Sequence, residues 1–239
     1  MAFHFSPKMV TDGLQIHLDS TNIRSYPKTG TDWTDLVSKA VFIPDNATPT
    51  FINEDSVWDF ENSNQNNFKC FTNPPDTKTQ QEYTRIIWFN PESVDENGPY
   101  YIFLNRRGNN SDMAIGINNS KLCYHSFTDS QVDGVGDQDY TLEADTVLET
   151  GRWYMGAMTV SRSNLEVKLY VNGVLDKTHT SIRPVGDANS NDLLIAGADT
   201  YIQARTFDGL LNIVQHYNRV LSEDEIAQNF NAFKSRYGL

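Results

Sequence analysis

Cysteine is nearly absent from this 239-residue chain: Cys70 and Cys123 are the whole complement. Their separation matches neither the C-x-x-C spacing of a metal or redox site nor the density of a disulfide scaffold, and both read as ordinary buried thiols. Basic residues are scarce too, with 19 Lys plus Arg against 31 Asp plus Glu and a formal charge of −12. That balance repels a phosphate backbone and an anionic membrane leaflet, and excludes nucleic acid as an expected partner. No apolar run approaches the ~20 residues that cross a bilayer, so no membrane insertion is expected. Met1–Val10 has neither an apolar h-region nor a small-residue cleavage pattern, so no secretion signal is read. Also missing are a nucleophile elbow, a P-loop and a His-Glu-x-x-His pair, and the five histidines stand singly. With no internal repeat and no Pro/Gly/Ser-rich linker, residues 1–239 read as a single domain.

What the chain does contain is short alternating runs separated by Gly, Asn, Asp and Pro, the pattern of an antiparallel sandwich. The clearest hairpin is Leu165–Thr180. Val167, Leu169 and Val171 alternate with Glu166, Lys168 and Tyr170, and Asn172-Gly173 supplies the two positive φ angles of a type I′ turn. Further strands are expected at 14–18, 57–60, 84–90, 100–105, 113–117, 122–126, 153–160, 193–197 and 210–217. The stretches 62–67 and 129–145 read as polar connections. The expected fold class is all-β: a two-sheet antiparallel jelly roll carrying a short C-terminal helix.

That helix is expected over Glu223–Tyr237. Ser222 and Glu225 form a capping box, Leu221 and Ile226 a hydrophobic staple, and Glu223 and Asp224 add negative charge at the positive end of the dipole. Ile226, Phe230, Phe233 and Tyr237 make one apolar stripe that must lie against the sandwich, and Gly238 ends the helix.

Several segments together resemble the concanavalin A-like lectin/glucanase superfamily, in particular the laminin-G-like domains of phage structural proteins. Gly13–Leu36 (GLQIHLDSTNIRSYPKTGTDWTDL) looks like the opening segment of phage-type members, and Trp58–Asn64 (WDFENSN) is similar to the family's early Phe-Asp-Gly strand end. Arg152–Thr159 with Leu169–Leu175 (LYVNGVL) resembles its paired strands ending in an Asn-Gly hairpin. The densest match is Phe207–Phe230 (FDGLLNIVQHYNRVLSEDEIAQNF), which looks like the closing strand, turn and terminal helix. The chain departs from the family at His216, usually aliphatic, and at Ile213, often acidic. The resemblance implies a jelly-roll fold and a virion structural role, assembled in the host cytoplasm.

The same superfamily includes retaining glucanases, whose strand needs two glutamates bracketing an aspartate on one face. Here Val57-Trp58-Asp59-Phe60-Glu61 has valine where the first glutamate belongs, so no enzyme activity is expected. For sugar binding, an aromatic face and hydroxyl-bonding side chains are needed, and Tyr26, Asn109, Asn110 and Tyr201 qualify by type in loops. Trp33 also qualifies by type but reads as structural. Calcium is the candidate cofactor, on Asp133, Asp137 and Asp139 of DGVGDQD, where Gly134 and Gly136 allow a tight loop; without an ion this is a solvated acidic connection. The expected function is non-enzymatic: a surface-exposed virion protein, free-standing by its start at Met and its end after the helix cap, with a homo-oligomer as its expected assembly. Its partners are cell-surface glycan together with virion subunits. The alternatives are a capsid decoration or tail-associated protein binding only neighbouring subunits, and a glycoside hydrolase.

Overall fold

The computed structural model describes residues 8–72, 75–77, 80–94, 100–106, 113–128, 138–182, 192–197 and 205–239. Alternation of apolar and polar side chains organises them into two antiparallel sheets. In spatial order the front sheet runs β14 (Val174–Thr180), β13 (Glu166–Val171), β12 (Tyr154–Ser161), β7 (Glu82–Pro91), β16 (Gly209–Tyr217), β5 (Val57–Phe60) and β4 (Thr50–Ile52). Strand β1 (Leu14–Asp19) pairs with the second half of β16, while β5 pairs with its first half. The back sheet runs β11 (Gln138–Val147), β10 (Lys121–Thr128), β9 (Met113–Asn118), β8 (Tyr100–Arg106), β15 (Asp192–Ile195), β6 (Phe68–Thr72), β3 (Val41–Pro44) and β2 (Trp33–Thr34).

Between the sheets lies the main core. Trp58, Phe60, Ile87, Phe89 and Leu211 descend from the front sheet onto Phe103, Ile115, Leu122, Tyr124 and Leu193 of the back. The alternate residues of the front sheet face outward, and they are not polar: Ile86, Trp88, Met155, Tyr170, Ile213 and Tyr217 form a second cluster. Water is kept from this outer face by helix α1 (Glu223–Phe233) and the 3-10 turn Lys234–Tyr237. Phe230, Phe233 and Tyr237 pack on the cluster, with Phe230 and Tyr237 stacked on Trp88 at 5.8 and 4.4 Å.

Both halves of the expected capping box form. Glu225 N–H donates to Ser222 Oγ at 3.2 Å and Ser222 N–H to Glu225 Oε2 at 2.9 Å. Arg219 adds a two-pronged pair to the same carboxylate, at 2.9 and 2.6 Å, which holds Glu225 down at a pKa of about 2. The last helical turn tightens into the 3-10 form and closes on Gly238 at φ 71°.

The stretch 129–145 is corrected. Its second half belongs to the ten-residue edge strand β11, whose sequence QDYTLEADTV carries few apolar residues because most of its length is only partly covered. Strands β2, β3, β4 and β6 are further additions, too short or too irregular for alternation to reveal them. At this edge of the sandwich the two sheets are clasped together. Asp176 of β14 accepts from the backbone N–H groups of Asp145 and Thr146, Lys177 pairs with Asp145 at 2.9 Å, and His179 Nε2 bonds Glu143 O at 2.9 Å. Both cysteines are buried thiols outside any disulfide, and burial raises the Cys123 thiol far above its ordinary pKa.

Candidate functional site

The outer face of the front sheet is covered by α1 and the turn that follows it. Just past the helix end, Asn90, Leu210 and Val57 rise side by side from β7, β16 and β5, since their neighbours Phe89, Leu211 and Trp58 point into the core. Together with Asp55 and Arg236 they line a groove of about 250 Å³. Trp153 and Tyr237 form its wall, and the same two rings border a second groove of about 350 Å³ completed by Gly151, Arg152, Asn172 and Leu239. The ring centroids of Trp153 and Tyr237 are 4.6 Å apart, and Tyr237 is stacked on buried Trp88. Trp153 is therefore the half-buried outer member of a column of rings, fixed from beneath and open to a flat ligand face.

A β-bulge sets the floor. The register of β16 shifts between Leu211 and Ile213, where β5 gives way to β1, and the extra residue is Asn212. Asn212 Nδ2 donates to Ser20 Oγ at 2.7 Å and to Ser56 O at 2.9 Å, while its Oδ1 accepts from Arg236 Nη1 at 3.0 Å and from Tyr237 Oη. Arg236 also pairs with buried Asp19, Nη1 to Oδ1 at 2.9 Å. Through this hub the C-terminal residues are locked to the sheet, so the groove is rigid without a ligand. Asn90 lines the same groove, and its Oδ1 is shielded from bulk water and accepts no hydrogen bond.

Beside the groove stands a group of carboxylates. Asp59, Glu61 and Glu92 each offer an oxygen within 4.8 Å of the others. Asp208 lies among them, accepting from Asn62 N–H at 3.1 Å. Burial and then Asp208 raise the Asp59 carboxyl above its ordinary pKa; burial, then Asp59, Asp208 and Glu61, raise Glu92. Without imidazole or thiolate, the set suits a hard cation better than a transition metal. In sequence only Asp59 and Glu61 are neighbours; the β5–β16–β7 pairing assembles the rest, a juxtaposition that spacing along the chain cannot show.

Tyr26 is corrected as a sugar contact. Its ring is 3% exposed, packed at 4.4 Å on Phe51 and 4.6 Å on Trp58, with its hydroxyl donating to Gly30 O. A ring so enclosed has no face left for a ligand. Trp33, read as structural, is fully buried. Asn109, Asn110 and Tyr201 lie outside the described residues, as do Asp133 and Asp137; the Asp139 backbone lies in β11 opposite Phe127. The described structure brings none of these calcium or sugar candidates to the groove. Sequence reading missed Trp153 because it opens an apolar run and looks like core.

A family model described as the concanavalin A-like lectin/glucanases superfamily, of laminin-G type, matches residues 62–227.

The chain belongs to the concanavalin A-like lectin/glucanases superfamily.

Solved structures of similar shape share little sequence with this superfamily member. Domain 4 of AbnA, a GH43 extracellular arabinanase from Geobacillus stearothermophilus solved with arabinotriose, superposes with a TM-score of 0.64 at 16% identity, covering 90% of this chain and 97% of that one. A botulinum neurotoxin type C structure, described as entering cells through two ganglioside molecules, gives 0.65 at 14% identity, covering 92% of this chain and 51% of that one. The binding domain of botulinum neurotoxin DC with rat synaptotagmin II gives 0.64 at 14%, with the same coverage. The chain thus spans about half of the neurotoxin structures. No curated protein matches the sequence. At these identities the likeness establishes the jelly-roll fold.

Proposed function

We propose that this domain is a non-catalytic glycan-binding module displayed on a virion surface, and that its sugar site is the pair of grooves flanking Trp153. The observation that carries the reading is the half-buried Trp153 ring, held on Tyr237 between two grooves lined by Asn90, Asp55, Arg236 and Asn172. A sugar ring presents an apolar face for stacking and hydroxyls for bonding, and each groove has the size of a small ligand site. Two solved neighbours, one with arabinotriose and one tied to gangliosides, support a carbohydrate role. Hydrolysis is disfavoured by the chemistry present. Val57, where a glucanase nucleophile would stand, is 2% exposed, and Asp55 is the sole carboxylate among the residues lining the first groove.

The test is a glycan array followed by calorimetry. Wild type should bind an oligosaccharide without releasing sugar, and Trp153→Ala should weaken it roughly tenfold or more, the loss of one stacking face. The unfolding midpoint should change little, because the ring is partly exposed already. Undiminished binding by the variant would move the site elsewhere. A blank array from a protein that rebinds stripped capsids would make it a decoration protein instead, and reproducible sugar release would make it an enzyme.

A further inference from the structure

We propose that the Trp153 grooves accept uncharged glycans and reject those bearing a carboxylate or sulfate, because a wall of carboxylates adjoins them while their guanidinium groups are already engaged. This deepens the glycan-binding reading and rests on it.

The placement follows from strand register. Asp59 faces Leu210 across the β5–β16 pair and follows Val57 by two residues, and both Leu210 and Val57 line the first groove. Strand spacing sets such neighbours about 4.8 Å apart across the sheet and about 7 Å apart along it. A ligand seated there is within one Debye length, about 8 Å at physiological salt, of Asp59 and close to its companions Glu61, Glu92 and Asp208. Asp55 adds a further carboxylate to the groove itself.

Recognition of an anionic sugar calls for a guanidinium free to form a paired, charge-assisted contact. Both Arg residues of these grooves already face a carboxylate of this chain. Arg236 directs Nη1 to Asp19 Oδ1 at 2.9 Å and Asn212 Oδ1 at 3.0 Å, and Nη2 to Asp19 Oδ2 at 3.3 Å. Arg152 pairs with Glu149 at 3.1 Å. Lys28 donates to Ser56 Oγ at 2.8 Å, a neutral partner, so its single positive charge stands against the group of carboxylates. The chain's formal charge of −12 adds a repulsive background.

The experiment compares glycan pairs that differ only in charge, a neutral oligosaccharide and its sialylated or uronate counterpart, by calorimetry in chelator at low and high salt. Chelator keeps the carboxylates free of metal. The neutral member should bind at least about tenfold more tightly at low salt, and the gap should narrow at high salt as screening removes the repulsion. Glu61→Gln with Glu92→Gln should narrow the gap at low salt while leaving neutral affinity in place; the salt series on wild type gives the same answer if that variant folds poorly. Equal or tighter binding of the charged member at low salt overturns the charge filter and leaves the glycan reading standing. Binding of neither member overturns both.

Discussion

At the scale of single residues, His216 shows how one unusual letter reports a buried arrangement. An aliphatic residue is expected at this strand position, and the structure places His216 fully inside the sandwich, stacked on Tyr83 and edge-on to Phe103. Its Nε2 meets Gln80 Oε1 at 2.7 Å, while Nδ1 has no partner. Burial, and then the Arg85 charge, push its pKa well below 6.5. The unfolded chain therefore takes up a proton that the folded chain resists, so the stability involved is present above about pH 6.5 and is lost as pH falls. His17, also lowered chiefly by burial, acts in the same direction. Glu225, held at about 2 by Arg219, contributes stability above its unfolded value near 4.5 that disappears only in stronger acid. The urea midpoint should accordingly fall between pH 7 and pH 5, and His216→Phe should flatten that upper limb while leaving the acid limb in place. An unchanged pH slope in the variant would assign the upper limb to other groups.

At the scale of elements, the hairpin and the helix prove to be one device. Asn172 and Gly173 adopt φ of 51° and 81°, the expected type I′ turn. A Cβ on Gly173 would also lie 2.7 Å from Phe230 Cβ, so the turn is a seat for the helix as well as a reversal of the chain. Gly173→Val should cost ~1–3 kcal/mol for the backbone alone and more for the contact, read as a lower denaturation midpoint; an unaltered midpoint would count against both roles. These two elements were legible because their signals are local, a dipeptide and a cap. Strand β11 was not, since its inward face is only Tyr140, Leu142 and Ala144, two of them half-covered, and the acidic and polar residues between them read as a loop.

At the scale of the whole molecule, the fold could be read from the sequence and the site could not. Inward-facing positions repeat every second residue and announce a sandwich, whereas the grooves depend on Trp153, Asn90, Asn212 and Arg236, which lie far apart in sequence and meet through strand order and a bulge. Tyr26 shows the converse error: an aromatic in a polar loop that turns inward to fill the core. The helix belongs to the whole because Phe230 and Phe233 pack on the outer cluster that holds Trp88 and Ile86. Removing residues 221–239 should leave a chain that aggregates or unfolds without cooperativity, seen by light scattering and by denaturant titration. A monodisperse, cooperative truncation would show the outer cluster to be stable in water.

The clasp between β11 and β14 bears on how many copies of the domain can share a small space. A free strand edge is a template on which a second chain can polymerise. Here the Asp145 and Thr146 amides are occupied by Asp176, and Glu143 O is taken by His179. The stretch Glu143–Thr146 is thereby withheld from a neighbouring copy, so molecules crowded shoulder to shoulder at high local concentration meet a blunted edge there in place of a strand to extend.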